Sequence, residues 1–189
     1  MSEASSAGGA RARDGRAGFS MVESLVFIAL LTIGLLGLSA SIVKSMALSE
    51  SNRERAVAAE AGRMALETLR SQPFDEVFER YNDYSPDNPA SGTSPGADFD
   101  VPGLNPADDD GDGQVGEYVF ATNATPGVVS ETPNNEFAGL ARDLNLDGDT
   151  TDADVTADRK ILPVMVRLRW RSATGEQELR LSTFLVDGP

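Results

Sequence analysis

The first strong pattern along the chain is an uninterrupted apolar run. From Ser24 to Val43 no side chain is charged, close to the roughly 20 residues a helix needs to cross the hydrocarbon core of a bilayer. No Pro occurs from Phe19 to Arg70, and only Gly34, Gly37 and Gly62 weaken the helical reading of that span. At about 1.5 Å per residue, one helix over it is much longer than a membrane is thick, so its second half has to protrude. In that half Val57, Ala61, Met64, Ala65 and Leu69 recur at helical spacing and predict an apolar stripe for docking on a domain. Glu50, Arg53, Glu60, Arg63, Glu67 and Arg70 take the opposite face at spacings of three and four, which allow mutual ion pairs. Ser71-Gln72-Pro73 ends the helix, because Pro lacks a donor and restricts the residue before it. Phe74 and Val77 then read as a short anchor.

The period changes after that. Tyr81 to about Pro106 is dense in Pro, Asn, Asp, Ser and Gly and reads as loop. Glu117 to Thr122 predicts a short strand, since Tyr118, Val119 and Phe120 favour extended backbone, and 123–135 returns to loop. The clearest alternation closes the chain: Val164, Val166, Leu168 and Trp170, a turn at Ser172-Ala173-Thr174-Gly175, then Leu179, Leu181, Thr183 and Leu185. With a four-residue turn, Arg171 faces Glu176, Arg169 faces Glu178, Leu168 faces Leu179 and Val166 faces Leu181. The fold class is therefore α+β, a long N-terminal transmembrane and protruding helix packed on a small antiparallel sheet. Its segments are a leader over 1–18, a transmembrane half over 19–44, a protruding helix over 45–72 and a β-rich domain over 73–189.

Composition narrows the function. With a net charge of -14, the chain lacks the clustered Lys and Arg that binding to nucleic-acid phosphate requires. There is no Cys and no His, so no disulfide framework, zinc site of the usual ligands, Ser-His-Asp triad or thiol nucleophile can be built. An enzyme is not expected. Arg11, Arg13 and Arg16 precede the apolar run and place that side in the cytoplasm, with everything beyond Lys44 outside. A secretory signal cleaved after Leu38-Ser39-Ala40 is the competing parse, and it would leave a mature chain from about Ser41.

Gly18-Phe19-Ser20-Met21-Val22-Glu23, followed by about twenty apolar residues, resembles the processing signal of type IV prepilins and type II secretion pseudopilins. Ile33-Gly34-Leu35-Leu36-Gly37 early on and the late hairpin with a Trp in its first strand resemble PilV-type minor pilins and their pseudopilin relatives. The resemblance implies a pilin-like fold, cleavage after Gly18 by a prepilin peptidase and methylation of the new amino terminus on Phe19. It also implies a bacterial inner-membrane location before assembly, with other pilins or pseudopilins and an inner-membrane assembly platform as partners. An acidic residue in a membrane helix costs about 2.5–3.5 kcal/mol on insertion scales, so Glu23 needs a partner, and a neighbour's amino terminus would supply one. Many pilins carry a Pro in this half of the membrane helix, and this chain does not. An uncleaved bitopic protein with a ligand-binding ectodomain is the alternative from another class, and cleavage at Gly18 separates the two.

Two acidic loops carry the remaining chemistry. Asp143, Asn145, Asp147, Gly148, Asp149 and Asp154 fall at the spacing of an EF-hand-type calcium loop, with oxygen ligands, a turn glycine and a late carboxylate. The main-chain carbonyl of Asp149 is a further expected ligand. Asp108, Asp110, Asp112 and Gly113 repeat the opening of the pattern, but its twelfth position is Val119 and Glu117 arrives at the tenth. Calcium is thus the expected cofactor, at one site or two, and a solvated acidic turn is the alternative at each.

Overall fold

The computed structural model describes residues 20–83, 95–107, 113–123, 127–133 and 141–188. The chain divides into two compact units, Met1–Ser45 and Met46–Pro189. One 50-residue helix, α1 (Met21–Arg70), runs through the boundary, and it is long and apolar enough to cross a membrane. In the first unit its side chains are exposed all round, which is stable only where lipid or other apolar helices surround it. Thr32 donates its hydroxyl to the Ile28 carbonyl at 2.8 Å, so this polar side chain is satisfied along the helix itself.

In the second unit α1 lies on an antiparallel sheet of four strands, ordered β1 (Asp98–Phe99), β2 (Gly116–Phe120), β3 (Ile161–Ser172) and β4 (Gly175–Val186). The buried seam of the helix is Ser51, Ala58, Gly62, Ala65 and Leu69. This corrects the predicted stripe, because Met64 is 63% exposed and Val57 and Ala61 are only partly covered. The helix is rotated toward its smallest residues. A Cβ at Gly62 would meet Leu181 Cδ1 at 2.5 Å and Leu168 Cδ1 at 3.2 Å, so the sheet's leucines occupy the space a larger side chain would need. On the solvent side Arg53 pairs with Glu50 at 3.3 Å and Arg70 with Glu67 at 3.7 Å, exposed pairs worth a few tenths of a kcal/mol each.

The hairpin has the pairing that its alternation predicts. Arg171↔Glu176, Arg169↔Glu178, Leu168↔Leu179 and Val166↔Leu181 are in register, and such pairs contribute about 0.2–1 kcal/mol each. The ladder closes further in than a four-residue turn would allow, at Ser172↔Gly175, leaving Ala173 and Thr174 to connect the strands. Gly175 follows them at φ 113°, a conformation L side chains rarely adopt. The apolar face carries Leu162, Val164, Val166, Leu168 and Trp170, all buried. Glu117 to Thr122 becomes β2 at Gly116–Phe120, paired with β3 from Gly116↔Leu168 to Phe120↔Val164.

The segment after the long helix holds more order than its composition suggests. Helix α2 (Phe74–Tyr81) extends the predicted anchor and buries Val77, Phe78 and Tyr81. Phe78 meets Phe120 edge-on at 5.3 Å, and Tyr81 meets Tyr118 at 5.1 Å, contacts that hold this short helix against β2. Inside that predicted loop, strand β1 pairs with β2, and Val101 and Leu104 are buried. Phe99 packs where a Cβ on Gly116 would sit, 2.3 Å from its ring.

Two outcomes are expected. Gly62→Leu should destabilise the full chain in detergent by about the 1–3 kcal/mol typical of overpacking, read as a lower melting temperature in the near-UV signal of Trp170. An unchanged melt would mean that helix and sheet do not meet there. Burial, and next the nearby Tyr81, push the Tyr118 hydroxyl up to about 12, against about 10 in an unfolded chain. Its contribution to stability is intact below about pH 10 and lost as pH rises toward 12. Tyr118→Phe should flatten that part of a stability–pH profile, and an unaltered slope would contradict the burial.

Candidate metal centre

The acidic loop after Arg142 is built by side chains closing on their own backbone. Asp143 accepts N–H groups from Leu146 at 2.5 Å, Asp147 at 3.2 Å and Gly148 at 2.9 Å. Asp147 accepts from the Asp149 N–H and Asp149 from the Thr151 N–H, so the loop advances in two-residue turns. Such tight winding requires positive φ at Gly148 (104°), and Leu146 adopts it as well (69°). Asp154 caps its own turn at Thr156 N–H, 3.0 Å away.

The strongest convergence comes from outside the linear motif. Glu131, fully buried, accepts the N–H of Leu144 at 2.6 Å and the N–H of Asp152 at 3.2 Å, clamping the two ends of the loop. Carboxylate oxygens of Glu131, Asp149 and Asp152 lie within 4.8 Å of one another, a group that could hold a metal ion. Next to it, the Asn145 amide donates to Asp147 at 3.2 Å and to Asp152 and Asp158 at 3.3 Å. Burial, and then the charges of Asp149, Asp147 and Asp158, raise the Asp152 carboxyl above its ordinary range, while its bond from Asn145 opposes them. The three converging ligands are carboxylate oxygens, the kind that hard cations take.

Among the predicted ligands, Asp149 belongs to the three-carboxylate group and Asn145 and Asp147 adjoin it through Asp152, whereas Asp143 is occupied by three backbone N–H groups. Glu131, Asp152 and Asp158 were not singled out from the sequence. Asp152 and Asp158 stand at unremarkable places in an acidic run, and Glu131 is 12 residues before Asp143 with no local pattern to connect them. Glu117 sits on β2 with Arg167 at 2.5 Å. Asp108, Asp110 and Asp112 lie outside the described residues, as do Gly18 and Phe19. Glu23 is in the first turn of α1.

Arg159, at the exit of the loop, ties it to the core. Its guanidinium donates to the Thr156 carbonyl and, at 3.0 Å, to the Asp75 carbonyl of α2, and it stands 5.6 Å over the rings of Phe74 and Phe78. Burial lowers its pKa, with Asp75 and Glu79 opposing that shift. The chain matches no family model, no curated protein and no solved structure.

Removing the clamp should open the loop. Glu131→Ala leaves the Leu144 and Asp152 N–H groups without an acceptor, at about 1–3 kcal/mol for each buried donor. Amide hydrogen exchange at both positions should then accelerate at least tenfold. Unchanged exchange would show that the loop closes without Glu131.

Proposed function

We propose that this chain is a structural subunit of a filament, a minor pilin or pseudopilin of a type IV pilus or type II secretion apparatus, rather than an enzyme. The observation that carries the reading is one continuous helix. Its first part is apolar and uncovered, and its second part is laid on an antiparallel sheet. At its start stands Gly18-Phe19-Ser20-Met21-Val22-Glu23, the arrangement that resembles a prepilin signal. In this reading the helix holds the subunit in the inner membrane, with the Met46–Pro189 unit outside the cytoplasm. It then exchanges lipid for the helices of neighbouring subunits during assembly. The transfer is between two apolar surroundings, so close packing and polar contacts decide it rather than the hydrophobic effect. Glu23 supplies such a contact, since a carboxylate in a low-dielectric setting pairs strongly with a neighbour's amino terminus.

Calcium is the ion we assign to the acidic loop. Glu131, Asp149 and Asp152 would hold it, with Asn145 and Asp147 beside them. Bound there, calcium would neutralise crowded carboxylates and fasten the 127–133 segment to the loop. That is a staple of the kind a chain without Cys otherwise lacks.

Two measurements test these assignments. The intact mass of the chain extracted from membranes should correspond to a start at Phe19 with one added methyl group; an uncleaved leader would favour the bitopic alternative, and a start near Ser41 would mean a soluble product. The full chain in detergent should melt several degrees higher with calcium than with chelator, since ligand at a hundredfold excess over its dissociation constant adds about 2.7 kcal/mol. Magnesium should substitute poorly, because it demands tighter octahedral geometry, and Asp152→Asn should abolish the calcium effect. A melt indifferent to calcium would leave the loop a plain acidic turn.

A further inference from the structure

The buried seam of α1 is apolar over most of its length and turns polar at the end nearest the hairpin turn. There the Thr174 hydroxyl meets Ser51 Oγ at 3.5 Å, and Arg55 donates to the Gln177 side chain at 2.6 Å. Gln177 pairs with Trp170 and Gly175 with Ser172, so positions 51–55 of the helix stand level with Trp170 and Ser172 of β3. At about 100° per residue, Glu54 lies to one side of the Ser51 direction and Arg55 to the other. Arg55 is turned toward β4, which leaves Glu54 on the flank that faces β3. Trp170 and Ser172 share the α1 face of that strand with Leu168, because side chains two apart point the same way.

Among the described residues, Glu54 Oε2, Trp170 Nε1 and Ser172 Oγ are shut off from solvent and have no hydrogen-bond partner. Trp170 is 1% exposed and Ser172 9%, so neither can turn to bulk water. Orphaned buried polar atoms are rare in folded proteins, and three at one level of a single interface call for a common partner. Their chemistry says which kind. The indole N–H only donates, the carboxylate oxygen only accepts, and the hydroxyl does both. A metal cation would find a single carboxylate and be faced by the indole hydrogen, while an anion would be repelled by Glu54. A small neutral molecule that accepts from the indole and donates to the carboxylate satisfies all three.

We infer that Glu54, Trp170 and Ser172 hold one internal water between α1 and the hairpin. It accepts from Trp170 Nε1 and donates to Glu54 Oε2 and Ser172 Oγ, the three hydrogen bonds usual for a buried water. The water fastens the turn end of the hairpin to the helix, beyond the reach of the Gly62 contact with Leu168 and Leu181, and it gives a carboxylate a place beside an otherwise apolar seam. The inference is independent of the filament and calcium readings, since it uses only α1 and the hairpin.

Trp170 is the only Trp of the chain, so its indole N–H gives one resonance in the spectrum of the full chain in detergent, prepared with isotope-labelled tryptophan. A cross-peak between that proton and water is expected, reversing sign between NOESY and ROESY spectra, as contact with a held water requires and proton exchange does not. Glu54→Gln keeps an oxygen acceptor and should keep the cross-peak. Glu54→Leu fills the space with apolar atoms and should abolish it and shift the indole resonance. Ser172→Ala removes the hydroxyl that could relay magnetisation from bulk water, and the cross-peak should persist there. Its absence from the unaltered chain, its persistence in Glu54→Leu, or its loss in Glu54→Gln or Ser172→Ala would overturn the inference. The unaltered chain and Ser172→Ala decide the matter even if Glu54→Leu fails to fold.

Discussion

Between Ala58 and Leu69 the long helix presents Gly62 and Ala65 to the sheet, so that Leu168 and Leu181 rest almost on its backbone. Helix, hairpin and aromatic contacts all depend on this approach. It sets the height at which α1 lies over β3 and β4. It brings Arg55 within 2.6 Å of Gln177 and Arg70 within 3.1 Å of Thr183. Where the helix ends, Ser71 turns back on the Thr68 carbonyl and α2 begins, placing Phe78 and Tyr81 against β2. A larger residue at position 62 would lift the helix and loosen each of these contacts in turn. A glycine that costs the isolated helix up to about 1 kcal/mol relative to Ala is offset by the packing it permits.

The sequence made the long helix and the closing hairpin readable because both are periodic over a dozen residues or more and both carry recognisable punctuation, Pro73 after the helix and Gly175 at the hairpin turn. The orientation of the helix was harder to read. Val57 and Met64 are the more apolar side chains, yet the seam runs through Ala58 and Gly62, since closeness to a sheet selects small residues over apolar ones. Helix α2 was hidden for a different reason. Eight residues carry too short a period to stand out, and its stability comes from rings on β2 that lie some 40 positions later in the chain.

The acidic loop shows the same limit at the level of the site. Spacing singled out Asp143 to Asp154, and those residues do wind into a tight loop. The convergence of carboxylates, however, depends on Glu131, which reaches the loop by long-range pairing of Val155 with Val129 and of Glu131 with Asp152. A linear motif can record the ligands that share a loop. It cannot record one that the fold delivers from another segment. Arg159 extends this connection to α2, so loop and helical layer are joined by a buried cation over two rings.

In the proposed function the apolar part of α1 serves both as membrane anchor and as the surface on which subunits assemble, with Glu23 supplying an ionic contact. Replacing Glu23 with Ala separates these roles, because it removes the charge without shortening the apolar run. The measurement is the amount of the variant in purified filaments relative to membranes, with folding followed by the Trp170 signal. Normal insertion and folding are expected, with a loss of at least tenfold from filaments. Incorporation at the level of the unaltered chain would contradict it.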